Sequence, residues 1–250
     1  MAHPAGRDRP HLLDPANTRL GIMGTAEVLG HGQWQVNTRG LAALLELSVG
    51  LGNRFELGVK TSPVTWFLPD LRFKDALWAA EIKAQIWRSP LFHLTAEFSY
   101  FHVAGFHGVR PGLSMKIGGD RVAFHASVGT LLIIGPTMQK DTCMGPTSYD
   151  QESGDYQETY GGCASSHDDS RAVLPIAHAS LGLEVRFWRH GKFFLEGLAA
   201  GGPGLPGMAS IVPGVRFHGS NFAADLGLGV LTMGGEANIP MPVLNFSYRW

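Results

Sequence analysis

The tripeptide His-Ala-Ser occurs twice, at His125-Ala126-Ser127 and at His178-Ala179-Ser180. In an extended chain, residues i and i+2 share a face. Each imidazole then stands beside a hydroxyl, and a histidine so placed can take the serine proton as the oxygen attacks. Glu184 or Glu196 could orient His178. The chemistry implied is hydrolysis, with His178, Ser180 and Glu184 as the set. The neighbouring residues argue against it. Both pairs lie on the polar face of their segments, and Ala126 and Ala179 take the apolar face. Polar packing is the expected role, with no catalytic residue and no enzymatic activity.

The other concentrations of chemistry are looser. Met138–Arg171 carries Asp141, Asp150, Glu152, Asp155, Glu158, Asp168 and Asp169 with few bases. These acids lack the central glycine and terminal glutamate of a calcium loop. The same stretch holds Cys143 and Cys163, the only two cysteines. A disulfide between them is expected. It would close a loop of about twenty residues, worth ~3 kcal/mol in the chain-entropy model, and would persist in an oxidising compartment. The eleven histidines are scattered. No zinc spacing, phosphate-cradling loop or dinucleotide fingerprint is present, so no metal and no cofactor are expected.

The elements that position these groups are strands. From Gln33 onward the chain divides into segments of about ten residues with period-two alternation, separated by turn chemistry. Leu45, Leu47, Val49 and Leu51 oppose Glu46, Ser48 and Gly50. Ile82, Ala84 and Ile86 oppose Glu81, Lys83 and Gln85. Leu181, Leu183, Val185 and Phe187 oppose Gly182, Glu184 and Arg186. About twelve strands result, the first over Gln33–Arg39. Residues 1–32 form an N-terminal segment, inside or below the sheet, with an extra strand over 18–29 as the alternative. Residues 33–250 form one domain with the long loop 138–171.

Composition bounds the class. The 33 glycines argue against a mainly helical protein. No run approaches the ~18 apolar residues of a membrane helix. With 20 Lys+Arg against 21 Asp+Glu, no global field recruits nucleic acid. No secretory signal is visible at the N-terminus, which is polar and proline-rich.

The chain ends Val243-Leu244-Asn245-Phe246-Ser247-Tyr248-Arg249-Trp250. Leu244, Phe246, Tyr248 and Trp250 share one face and end on an aromatic. This strand resembles the last strand of bacterial outer-membrane β-barrels. The resemblance implies an antiparallel transmembrane barrel in the outer membrane. It also implies an assembly machinery that reads the Trp250 strand, and lipid and lipopolysaccharide as surroundings. Two regularities agree with it. Tight turns alternate with longer connections, as periplasmic turns alternate with extracellular loops. Phe55, Phe92, Phe187, Phe193, Phe217, Phe222 and Trp250 crowd the short-turn end, as an interfacial girdle would. An even strand number places both termini in the periplasm. The His-x-Ser spacing is similar to that of outer-membrane phospholipase A and the lipid A deacylases. Those enzymes present the pair on the outer surface, whereas here it falls on the polar face.

With the apolar face against lipid, the charges must line the lumen. These are Arg39, Glu46, Glu56, Lys60, Glu81, Lys83, Glu97, Arg110, Lys116, Glu184, Arg186, Glu196, Arg216, Asp225 and Arg249. About twelve strands lie between side-chain-filled eight-stranded barrels and wide sixteen-stranded porins. The expected function is a narrow passive channel for small polar solutes. The alternatives are a closed structural barrel anchoring an envelope complex, and a lipid hydrolase.

Overall fold

The computed structural model describes residues 25–39, 44–62, 77–103, 106–135, 140–142, 164–166, 173–235 and 237–250. They contain fourteen strands: β1 (Trp34–Arg39), β2 (Leu44–Leu51), β3 (Phe55–Thr61), β4 (Trp78–Arg88), β5 (Phe92–Val103), β6 (Phe106–Gly118), β7 (Val122–Ile134), β8 (Lys140–Thr142), β9 (Ala164–Ser166), β10 (Val173–Trp188), β11 (Gly191–Gly201), β12 (Met208–His218), β13 (Phe222–Met233) and β14 (Ala237–Arg249). Twelve of them close an antiparallel barrel, and β8 and β9 form a separate two-stranded hairpin within the long loop.

Closure joins the first barrel strand to the last. Gln35 pairs with Arg249 and Thr38 with Phe246. The Trp34 N–H donates to the Trp250 carbonyl at 3.0 Å, and the Trp250 N–H returns to Trp34 at 3.1 Å. The terminal octapeptide therefore seals the cylinder, and no strand edge is left for pairing with another chain there. The start of β1 and the end of β14 lie at the end where the short turns lie, since Trp34 also pairs with Val49 beside the Gly52–Arg54 turn.

The alternation decides which face points where. On β10, Leu181 is 68% exposed whereas Ser180 and Glu184 are buried. On β7, Phe124 is 58% exposed and His125 is buried. Apolar side chains point out around the barrel and polar ones point in. An apolar exterior around a polar interior is the arrangement hydrocarbon requires and water forbids. The fold is a transmembrane β-barrel. Its expected girdle is present: Phe55, Phe187, Phe217, Phe222 and Trp250 are exposed, joined by Trp34, Trp87 and Trp188. Phe222 and Phe246 stack with ring centroids 6.1 Å apart.

Three expectations change in detail. The connection between β5 and β6 is two residues, not a longer loop, because pairing persists to Val103 and Phe106. The connection after Met233 is also short, since β14 begins at Ala237 and runs through Pro240 and Pro242. A proline cannot donate to a ladder. In β14 the even-numbered N–H groups point toward β1, as those of Phe246 and Trp250 show. The β1–β14 pairing stops at Phe246, so the donors that Pro240 and Pro242 lack fall beyond it. Third, the described part of the proposed 18–29 strand, residues 25–29, is not a strand; residues 18–24 lie outside the described residues. The Cys143–Cys163 pairing and, apart from Asp141 on β8, the acids of the long loop also lie outside them.

Candidate functional site

The lumen is built from the inward face of every barrel strand. Glu46, Glu56, Glu81, Lys83, Lys116, Glu184, Glu196, Arg216, Asp225 and Arg249 are all buried there. Lys60, Glu97, Arg110 and Arg186 alternate onto the same face and are half-buried. Arg39 ends β1, and its side chain lies outside the described residues. Fully buried charges are tolerated only when paired, and here register supplies the pairs.

Two arcs of ion pairs run around the wall. In the first, Lys83 lies 3.9 Å from Glu56 and 4.0 Å from Glu81. Lys60 also pairs with Glu81. Arg110 reaches Glu81 at 3.3 Å and Glu97 at 3.7 Å. The Ser114 hydroxyl donates to Glu97 at 2.6 Å. In the second arc, Glu184 gathers His125 at 3.4 Å, Lys192 at 3.6 Å and Arg216 at 3.5 Å. Arg216 continues the arc to Asp225 through a bidentate pair, 2.6 Å from Nε and 2.9 Å from Nη2. The planar fork of arginine matches a carboxylate in this way and a lysine would not. Asn245 adds a donor to Asp225 at 3.4 Å.

Residues 25–30 complete the short-turn end. Ala26 and Leu29 are buried. The Ala26 carbonyl accepts from Gln85 Nε2 at 3.1 Å and Thr95 Oγ1 at 2.6 Å. The Leu29 N–H donates to Glu56 Oε2 at 3.0 Å. Lys116 Nζ holds Glu27 at 2.7 Å. These partners come from β3, β4, β5 and β6, so residues 25–30 lie across the inside of that wall. Gly50 is what admits them: a Cβ there would overlap the Gly30 carbonyl.

The lumen is not polar throughout: an apolar patch sits among its charges, with Phe194 directly opposite Glu184. Phe194, Val212 and Val243 form a buried apolar cluster with Met241 against it, all on inward positions of β11, β12 and β14. Gly214 makes room for it, since a Cβ there would fall within the Phe194 ring. Toward the long-loop end, the inward positions of β7 and β10 become Leu131, Ile133, Ile176 and Leu174, which are half-buried and pair across the two strands. Sequence reading missed this lining, because the run Thr130–Ile134 is apolar on both faces and hides its period. It also missed Lys192, whose place on the polar face is masked by the inward Phe194 between it and Glu196.

The two His-Ala-Ser tripeptides meet without forming a catalytic set. Ser127 and Ser180 are direct partners across β7 and β10 and hydrogen-bond to each other. His178 lies opposite Gly129. Glu184 is six residues along the same strand from His178, a rise of roughly 20 Å, and its carboxylate is committed to His125, Lys192 and Arg216. The expected polar packing is what the geometry provides.

A closed, twelve-stranded barrel with an apolar exterior and a charged lumen has the fold of a porin-like transmembrane barrel. The KdgM porin superimposes with a TM-score of 0.50 at 9% identity, over 86% of this chain and 96% of that one. The NanC porin gives 0.48 at 7% identity, over 86% and 97%. OmpF of Salmonella typhi gives 0.41 at 10% identity, over 83% and 62%. Identities this low are a likeness of fold. No family model matches the sequence, and no curated protein does.

Proposed function

We propose that the chain is a narrow passive channel of the bacterial outer membrane for small polar solutes. The observation that carries this reading is the paired charge on the inward face of a closed twelve-stranded barrel. A solute entering from the long-loop end passes the apolar positions of β7 and β10 and then meets the ionic arcs. Polar groups there replace part of its hydration, and adjacent opposite charges keep it from binding tightly to either sign. The N-terminal segment narrows the far end and limits the size admitted. The short-turn end, with both termini, faces the periplasm in this reading. Lipid and lipopolysaccharide surround the exterior, and the assembly machinery reads the strand that ends at Trp250. No catalytic step is assigned, because neither serine is joined to a histidine and carboxylate in series.

Planar-bilayer recording tests the proposal. The full chain is expected to give small single-channel steps. A chain lacking residues 1–32 should give larger ones, because the groups that hold Ala26, Glu27 and Leu29 then face an open passage. Both proteins must migrate as compact barrels on an unheated gel. Silence from both folded proteins would overturn the channel and leave a closed structural barrel.

A further inference from the structure

The β5–β6 hairpin carries an imidazole pair that the channel does not use. His102 and His107 are direct cross-strand partners, two residues from either side of the tight connection. They sit on the outward face, in the alternation that exposes Phe98 on β5 and Leu113 and Ile117 on β6. Their Nδ1 atoms face each other at 3.4 Å, with ring centroids 4.6 Å apart. The Tyr100 hydroxyl also reaches His107 Nδ1. The Trp78 ring lies 5.3 Å from Tyr100 and 5.8 Å from His102. Both imidazoles are therefore braced by aromatic neighbours rather than free to rotate.

We infer that this pair is a binding site for a divalent transition-metal cation of the zinc type. Zinc takes histidine nitrogens at about 2.0–2.1 Å in tetrahedral geometry, which puts two ligand nitrogens about 3.4 Å apart. The observed separation is that distance, so the cation needs no movement of the strands. Neutral imidazole binds such a metal through either ring nitrogen. Here both rings offer the same atom to one point. Each imidazole would bind as the neutral ring, its Nδ1 lone pair on the cation and its proton on Nε2, and the cation would take the place of the Nδ1–Nδ1 and Tyr100–Nδ1 contacts.

Position supplies the remaining ligands. His102 lies ten residues along β5 from Phe92. At a strand tilt of about 40°, ten residues rise roughly 25 Å, the height of the apolar band of a transmembrane barrel. The pair thus stands at the membrane border opposite the Phe and Trp girdle, where water completes the coordination. Among the described residues no third histidine, cysteine or carboxylate joins it, so the bound metal keeps open positions. The sequence hid this site because four residues lie between the two histidines and only the hairpin register sets them face to face. It lies outside the lumen and stands whether or not the barrel conducts.

The test is zinc titration of the full chain in detergent micelles by calorimetry. Loss of an outer partner of a metal ligand already costs about 10–100-fold in affinity, so His102→Gln and His107→Gln are each expected to weaken zinc binding by about tenfold or more. His31→Gln, an exposed imidazole at the other end, should leave it unchanged. X-ray absorption at the zinc edge on the unaltered protein should show two imidazole nitrogens, which does not depend on how any variant folds. A folded barrel that binds no zinc, or whose zinc is indifferent to both substitutions, would overturn the site.

Discussion

Arg216 is the side chain that joins the two carboxylates of the second luminal arc. It is buried to 1% exposure and touches both Glu184 and Asp225. Removing one partner of a buried pair leaves its counter-charges uncompensated, at a cost of about 3–5 kcal/mol. Arg216→Met is therefore expected to lower the urea midpoint of refolding into lipid vesicles strongly. Arg216→Met with Asp225→Leu should recover part of the loss, because only Glu184 then loses a cation. An equal loss in single and double variants would show that the network is not the source of the stability. The opposite face has the opposite preference. Leu226 is 51% exposed on the lipid side, near mid-height of β13. Arginine at such a depth costs ~2–4 kcal/mol, so Leu226→Arg should destabilise by that much in the same assay. A neutral result would mean that this face does not meet hydrocarbon.

At the scale of elements, the segment 25–30 and the strand pair behind it act together. Gly50 lets the chain pass close to β2, and the N–H and carbonyl of Gly50 exchange bonds with Gln33 and Gly32. Gly50→Val places a branched side chain where the Gly30 carbonyl runs. The barrel wall need not break, because position 50 remains an ordinary strand residue. The expected result is a displaced N-terminal segment in an intact barrel: channel steps approaching those of the chain lacking residues 1–32, with unchanged gel mobility. Steps identical to the unaltered chain would mean that the segment does not limit passage.

At the scale of the whole molecule, the barrel is a sorting of side chains by solvent. Once the apolar face meets lipid, closure brings charges from distant strands into one space, and strand register selects their partners. Positive and negative groups interleave along the arcs rather than forming zones of one sign. The His102–His107 pair shows the same logic on the outside, where a hairpin register makes a site that neither strand contains alone.

The sequence by itself determined the strands, their inward and outward faces, the girdle and the closing role of the Trp250 strand. These follow from a period of two, which is local and survives translation along the chain. It also placed Glu46, Lys83, Glu184, Arg216 and Asp225 on the inner wall. Only the tertiary structure decided which charges meet and where residues 25–30 lie. It alone showed that Leu131, Ile133, Leu174 and Ile176 line part of the lumen, and that Ser127 finds Ser180 rather than a histidine. Those outcomes depend on register between strands and on the curvature of a closed sheet. Neither is written in the alternation of any one strand, because pairing is a relation between segments far apart in the chain.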